Sequence, residues 1–429
     1  MLPVTRLQRA LRDGDYAQHL AWLYGCTEAQ SDVYAQRYLH VVQGLEYTFG
    51  AHTGASIFSA PGRTEIGGNH TDHQHGCVLA GSVNIDMIAA VGPNALGQVR
   101  LMSEGYAPIS VELADLEKRP EEENTSTAIL RGTYRAYADR GAKLSGLDIY
   151  VASNVPKGSG VSSSAAFEVL LGTICNELFM GDNKVTPIAI AQIGQWVENV
   201  YFGKPCGLMD QMASSVGGVV GIDFADPAAP IVEKVELNLA DAGLALCILD
   251  SGADHADLTD EYAAIPAECK AVARLCGGEV LRDVDFAEFV SKIPACRAQF
   301  GDRAVLRAMH FFADNARVPR QIQALREKDY AAFLRLIDES GHSSWECLQN
   351  VSAAGAVSQQ AVAVTISVAK QILGGKGAVR VHGGGFAGTV QAFVPVEMVA
   401  EFKEKTEAVL GKDACNVMVI RPVGGIRIA

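Results

Sequence analysis

Residues 154–166 read Asn154-Val155-Pro156-Lys157-Gly158-Ser159-Gly160-Val161-Ser162-Ser163-Ser164-Ala165-Ala166. A β-branched apolar run, Leu147 to Val151, precedes them, and an apolar run of helical length, Phe167 to Leu178, follows. The pattern predicts a strand, a loop, and a helix that opens on three hydroxyls. A helix start offers free N–H groups and the positive end of its dipole, so it suits a phosphate. The glycines let the backbone approach a polyanion, and a serine hydroxyl is a ligand for Mg²⁺. The competing reading is a serine-rich cap on an ordinary helix. A Walker loop is excluded, because its lysine follows the last glycine, whereas Lys157 precedes Gly158 and Gly160.

Three further segments carry chemistry. Ala60 to Gly76 (A-P-G-R-T-E-I-G-G-N-H-T-D-H-Q-H-G) packs polar groups between apolar flanks. Arg63 brings a fork of donors and Asp72 an acceptor, which together suit a polyhydroxylated substrate. His70, His73 and His75 match no zinc spacing. Cys206 to Ser214 sets one carboxylate, Asp210, among small and apolar residues. An acid buried there needs a cation, for which Arg63 is the natural partner, and it suits accepting a proton from a hydroxyl. A structural role satisfied by backbone N–H groups is the alternative. Glu198, on a helix predicted from Pro187 with Thr186 as its cap, suits a Mg²⁺ shell shared with a serine. His382 to Gly388 contains G-x-G-x-x-G, but strand-like Thr389 to Val394 follows it. It is therefore a tight strand–loop–strand and not a dinucleotide fingerprint.

The chain has 429 residues, 48% of them hydrophobic and 20% charged, with a net charge of −13. That length allows two or three domains. The charge argues against nucleic-acid and anionic-membrane surfaces. Ten scattered cysteines with no C-x-x-C pair suggest free thiols in a reducing compartment. With no signal peptide and no membrane-length apolar run, the expectation is a cytoplasmic protein, a monomer or weak homo-oligomer. Residues 1 to about 50 read as two or three helices. Phe58 to Val91 reads as strands around a turn, and a helix is expected after Pro120. A shift to Pro and small residues at Asp226–Pro230 suggests a connection between domains, 1–225 and 226–429. Short strands and helices without βαβ alternation indicate an α+β fold.

Taken in order, the 60–76, 154–166 and 382–388 segments resemble the GHMP kinase superfamily. The first is similar to the galactokinase signature, the second to its P-x-G-x-G-L-S-S-S-A-A motif and the third to its G-G-G-F-G-G. Leu249 to His255 with Tyr262, and Arg307 to His310 with Asn315 to Val318, extend the resemblance to about residues 40–429. It implies a two-domain α+β fold with the site in the cleft, and transfer of a phosphoryl group from ATP, with Mg²⁺, to a sugar C1 hydroxyl. By the same resemblance Asp210 and Arg63 are catalytic. Lys157, Gly158, Ser159, Gly160 and Ser162 to Ser164 hold the nucleotide, with Gly384 and Gly385 lining the site. Ser163 and Glu198 bind the metal. Asn69, His70, Asp72, Gly207 and Tyr262 bind the sugar.

The departures are local. Where the family has Gly-Arg-Val-Asn-x-Ile-Gly-Glu-His-Thr-Asp-Tyr, Thr64-Glu65 replaces Val-Asn, Asn69 replaces Glu and His73 replaces Tyr. Ala263 to Pro266 stand where two arginines are usual. The Gly-x-His-x-Asp-His-Gln form, Gly68 to Gln74, is also similar to the galacturonate kinase branch, and a C6 carboxylate would be repelled by the usual Glu and not by Asn69. A galactokinase, a kinase for galacturonate or another hexose, and a catalytically silent sugar sensor are the readings to separate.

Overall fold

The computed structural model describes residues 1–155, 160–253 and 258–429. Helices α1 (Val4–Arg12), α2 (Ala17–Tyr24) and α3 (Asp32–Phe49) lead into strands β1 (Ser56–Gly67), β2 (Cys77–Pro93), β3 (Gln98–Ser103) and β4 (Ile109–Glu112). Helix α4 (Ser126–Ala138), strand β5 (Leu147–Ser153) and helices α5 (Ser163–Phe179), α6 (Pro187–Val197) and α7 (Met209–Val216) follow, then strands β6 (Val219–Asp223) and β7 (Ile231–Val235). Strand β8 (Leu244–Asp250) is followed by helices α8 (Thr259–Leu275), α9 (Phe286–Phe300), α10 (Asp302–Arg326), α11 (Tyr330–Ser343) and α12 (Ala361–Leu373). Strands β9 (Ala378–Val381) and β10 (Thr389–Pro395), helix α13 (Val399–Leu410), and strands β11 (Cys415–Met418) and β12 (Ile426–Arg427) complete the chain.

Two sheets result. The first runs β12-β1-β2-β5-β3-β4, and β6, with β7 beside it, pairs the other end of β2. The second runs β11-β8-β10-β9. The central strands β1, β2, β5, β8, β9 and β10 are covered on two faces, which suits their largely apolar sequences, whereas β4 and β7 at the edges are partly exposed. Ile57, Ile88 and Ala90 face α1–α3, whereas Phe58, Ala89 and Val91 face the α4–α6 side. In β8, Leu246 and Ile248 pack toward α10 and α11, and Cys247 and Leu249 toward α12 and α13. The fold is α+β, as the mixed element order implies.

Three local segments bear on the expectations above. Thr186 caps α6 by accepting from the Ala189 N–H at 3.2 Å. Pro120 opens a short 3₁₀ turn, Pro120–Glu122, and not the helix; α4 begins at Ser126 after the Thr125 cap. Asp226–Pro230 is the turn between β6 and β7, two antiparallel strands of the first sheet. The chain passes to the second sheet only over residues 236–243, and β12 brings it back to pair with β1. Among the described residues no helix is long and apolar enough to cross a membrane.

A buried carboxylate fixes the root of the 154–166 loop. Asp86 is fully buried and accepts from Tyr24 Oη at 2.5 Å, Ser59 Oγ at 2.5 Å, Arg37 Nη1 at 2.8 Å and Arg421 Nη1 at 3.2 Å. Its backbone N–H donates to Asn154 Oδ1 at 2.7 Å. Helices α2 and α3, strand β1 and residue 421 thereby hold the point where the loop leaves β5.

Candidate active site

Arg63 lies on β1, flanked by two register shifts against β2, at Pro61/Arg63 and Glu65/Gly67. Such irregularities re-aim side chains beside functional sites. Asp210 sits in the first turn of α7, where the helix dipole favours a carboxylate. The two meet as a bidentate pair, Nε to Oδ1 at 2.6 Å and Nη2 to Oδ2 at 2.8 Å. The Arg63 side chain is 8% exposed, while Asp210 keeps 30% of its side-chain surface open. Burial works against the ionised Asp210. The Arg63 charge and hydrogen bonds, then the Ser162 hydroxyl, outweigh it and hold the carboxyl below its ordinary value.

The serine loop reaches the same acid. Ser162 Oγ donates to Asp210 Oδ2 at 2.5 Å, and Arg63 Nη1 donates to the Gly160 carbonyl. Ser162 holds φ at 59°, the left-handed region, directly before α5. That conformation is costly for serine, and here it turns the hydroxyl onto the carboxylate. Sequence reasoning gave Ser162 to the phosphates; the structure hydrogen-bonds it to Asp210. Gly160, at φ 67°, packs where a Cβ would stand 2.7 Å from Thr389 Oγ1, so only glycine fits between the loop and β10. Lys157, Gly158 and Ser159 lie outside the described residues, as do Asp254 and His255.

Ser163, Ser164 and Glu198 line a cavity of about 670 Å³ together with apolar Met87, Leu101, Ile109 and Phe202. Glu168, which sequence reasoning missed, lines it too. It follows Ser164 by one turn of α5 and is 2% exposed. Gln211, beside Asp210, donates Nε2 to Glu168 Oε2 at 2.9 Å and to Glu198 Oε2 at 3.0 Å. Burial, then the facing Glu198, pushes the Glu168 carboxyl well up. Glu168 Oε1 and Gln211 Oε1 are buried without a partner. A carboxylate inside an otherwise apolar helix was the signal available in the sequence.

Beyond the end of β1, residues 68–76 form the loop that leads to β2. The Asp72 carboxylate lies over Gly207, where a Cβ would come within 2.2 Å of Oδ2. His70 Nε2 bonds the Gly384 carbonyl at 2.9 Å, and Tyr262 Oη donates to the Gly385 carbonyl at 2.7 Å. Burial, then neighbouring His73, pushes the His70 imidazole down to about 4. Gly384 and Gly385 therefore contact His70 and Tyr262, whereas Gly383 is the glycine beside Gly160. His382 of the same loop is buried, bonding Thr64 Oγ1 at 3.1 Å and Thr389 Oγ1 at 2.9 Å.

Asn69 is a correction. It is 0% exposed, and each of its polar groups is engaged. Nδ2 donates to Glu65 Oε1 at 2.9 Å and the Gly383 carbonyl at 2.7 Å. Oδ1 accepts from Asn350 Nδ2 at 2.8 Å, the N–H donates to Asp314 Oδ2 at 2.8 Å, and the carbonyl bonds His310 at 2.9 Å. It anchors the loop to α10 and presents nothing to a substrate. Glu65, another departure from the family pattern, is its partner, so amide and carboxylate have exchanged places within one hydrogen-bonded pair. Arg380 Nη2 neutralises Glu65 at 2.6 Å.

Residues 46–93 match the galactokinase galactose-binding signature, and residues 128–218 match the GHMP kinases N terminal domain. The galactokinase of Streptomyces coelicolor is 31% identical over 377 residues, covering 86% of this chain and 93% of that protein. The chain belongs to the galactokinase family. A second member, from Mannheimia succiniciproducens, is 30% identical over 80% of this chain and 86% of its own length. Lactococcus lactis galactokinase, solved with galactose, superposes with a TM-score of 0.77 at 23% identity over 92% of this chain and 99% of that one. A mevalonate kinase shares the fold at a TM-score of 0.58 and 13% identity, over 84% of this chain and 99% of that one.

ATP and Mg²⁺, which membership implies, fit the residues present. The cavity has an apolar wall for a base, and the start of α5 presents hydroxyls to phosphates. Two facing carboxylates with an orphaned oxygen form a set that a divalent cation would satisfy.

Proposed function

We propose that this enzyme transfers the terminal phosphoryl group of ATP to the anomeric C1 hydroxyl of galactose. The observation that carries the reading is the Arg63–Asp210 pair, bonded to the serine loop through Ser162 and Gly160 and left open on the Asp210 side. The C1 oxygen attacks the terminal phosphorus, the bond to the bridging oxygen breaks and ADP leaves. The C1 proton passes to Asp210. Because the transition state is loose, positioning and charge dominate. Arg63 holds Asp210 ionised, and its fixed charge stands beside the transferring group. Asp72, His70 and Tyr262 orient the sugar hydroxyls. Ser163 and Glu198 would hold Mg²⁺, which would offset phosphate charge.

The intact acid and serine loop favour turnover over a silent sugar sensor. Burial of Asn69 among protein partners weakens the argument for a uronic acid that rests on the loss of Glu at that position. The site draws Arg63, Ser162 and Asp210 from the first 225 residues and Tyr262 and His382–Gly385 from the rest. This supports a cleft between two units, with the crossing at 236–243. The net charge of −13 suits a protein of the cytoplasm that acts on small molecules without nucleic acid. ADP release by purified protein against a panel including galactose, galacturonate and other hexoses tests the reading. Galactose should give the highest kcat/KM; no release with any sugar would refute it.

A further inference from the structure

We infer that Glu168 is a second carboxylate of the divalent-cation site, facing Glu198 across the Gln211 amide. The inference rests on the proposed use of Mg²⁺ with ATP and adds a residue to that site. One Gln211 Nε2 is shared between an oxygen of each glutamate, at 2.9 and 3.0 Å. Glu168 is 2% and Glu198 4% exposed, yet both border the cavity that Ser163 and Ser164 also line. Two buried carboxylates reached only by neutral groups, the Gln211 amide and the Cys206 thiol, lack positive charge, and Glu168 Oε1 accepts no hydrogen bond from a donor group. Gly194 of α6 leaves the room they occupy, since a Cβ there would stand 3.1 Å from Glu168 Oε2. Among the described residues no group of three or more His, Cys, Asp or Glu side chains is placed to hold a metal. Magnesium does not need one, because it takes one or two carboxylates and fills its octahedron with water and phosphate oxygens. Oxygen donors without thiolate or imidazole select Mg²⁺ or Mn²⁺ over softer ions. Gln211 adjoins Asp210, so the amide that spaces the two glutamates also ties the cation site to the acid at the sugar.

The test is Mn²⁺ binding to the full-length protein, followed by the EPR signal of the free aqua ion, with and without ADP. Glu168→Gln is isosteric and is expected to weaken Mn²⁺ binding about tenfold or more, while ADP affinity in EDTA stays at the wild-type value. Glu168→Asp keeps the charge but shortens the reach, and is expected to fall between the two; it serves if the Gln variant does not fold. Mn²⁺ affinity at the wild-type level in either folded variant overturns the inference and leaves the galactose kinase reading standing. Wild-type protein that takes up no Mn²⁺, with or without ADP, ends both.

Discussion

The Arg63–Asp210 pair makes a prediction that separates its structural role from its chemical one. Arg63→Met leaves Asp210 facing no cation, and Asp210→Asn leaves the Arg63 charge in a site where its side chain is 8% exposed. Breaking a buried pair costs about 3–5 kcal/mol. Because Asp210 keeps 30% of its side chain open, the lower end applies, about 3 kcal/mol for each single variant. In a chain of 429 residues that is a drop in Tm of roughly 3 °C. The double variant removes both charges and has no orphan to leave. Its loss should therefore fall well short of the sum, with a coupling of about 2 kcal/mol. Turnover should not recover, since both singles and the double lack the acid or the cation that orients it, a loss of about 10²–10⁴-fold in kcat. Calorimetry and steady-state ADP release on four proteins complete the cycle. Strictly additive stability losses would refute the coupling, and a double variant with wild-type kcat would refute the chemistry.

Four further outcomes follow from the same geometry. The Asp210 carboxyl sits below its ordinary 3.8, so kcat/KM should show no acid limb from this group above about pH 5; its share of stability is present above the unfolded value and lost as pH falls through the lower folded one. His70, pushed to about 4, should stay neutral at pH 6 in a histidine NMR titration, and its share of stability is full above 6.5 and lost as pH falls toward 4. Gly207→Ala drives a methyl to within 2.2 Å of Asp72 Oδ2. Displacing that charged acceptor costs about 1.5–3 kcal/mol, raising the KM for sugar roughly 10- to 100-fold with the KM for ATP unchanged; equal effects on both would sink the placement of Asp72. Asn69→Glu restores the family residue but buries a second carboxylate beside Glu65, and should cost about 3 kcal/mol or more without altering sugar preference. A stable variant with a new preference would put residue 69 back in the sugar site.

Much of this site was legible because its residues break local rules. Asp210 is a lone acid among small apolar residues, and three serines open a helix with no need of so many hydroxyls. Glycines cluster where β9 turns into β10. Each violation pointed to a place where stability alone does not choose the residue. What was not legible depended on long-range pairing. Asn69 read as substrate-facing because its neighbours His70 and Asp72 are polar; only the approach of α10 and Asn350 shows it is saturated from behind. Glu168 was set apart only by its apolar neighbours in a helix that also carries Glu177, and its partners Glu198 and Gln211 lie on other elements. Asp226–Pro230 carried the composition of a linker, yet a hairpin turn demands the same residues.

Strand β1 has one more consequence. Its start receives both ends of the described chain: Leu2 donates to the Ala55 carbonyl at 2.9 Å, and Ile57 donates to the Ala429 carbonyl at 3.1 Å. Residues 2 and 429 are thus near neighbours, and a short linker would join them without disturbing the sheet. A circular permutant reopened in the exposed turn at 226–230 should keep its kinase activity, because Arg63, Ser162 and Asp210 remain on one continuous piece. Reopened between Gly160 and Ser163, the same ring should fold and stay inert.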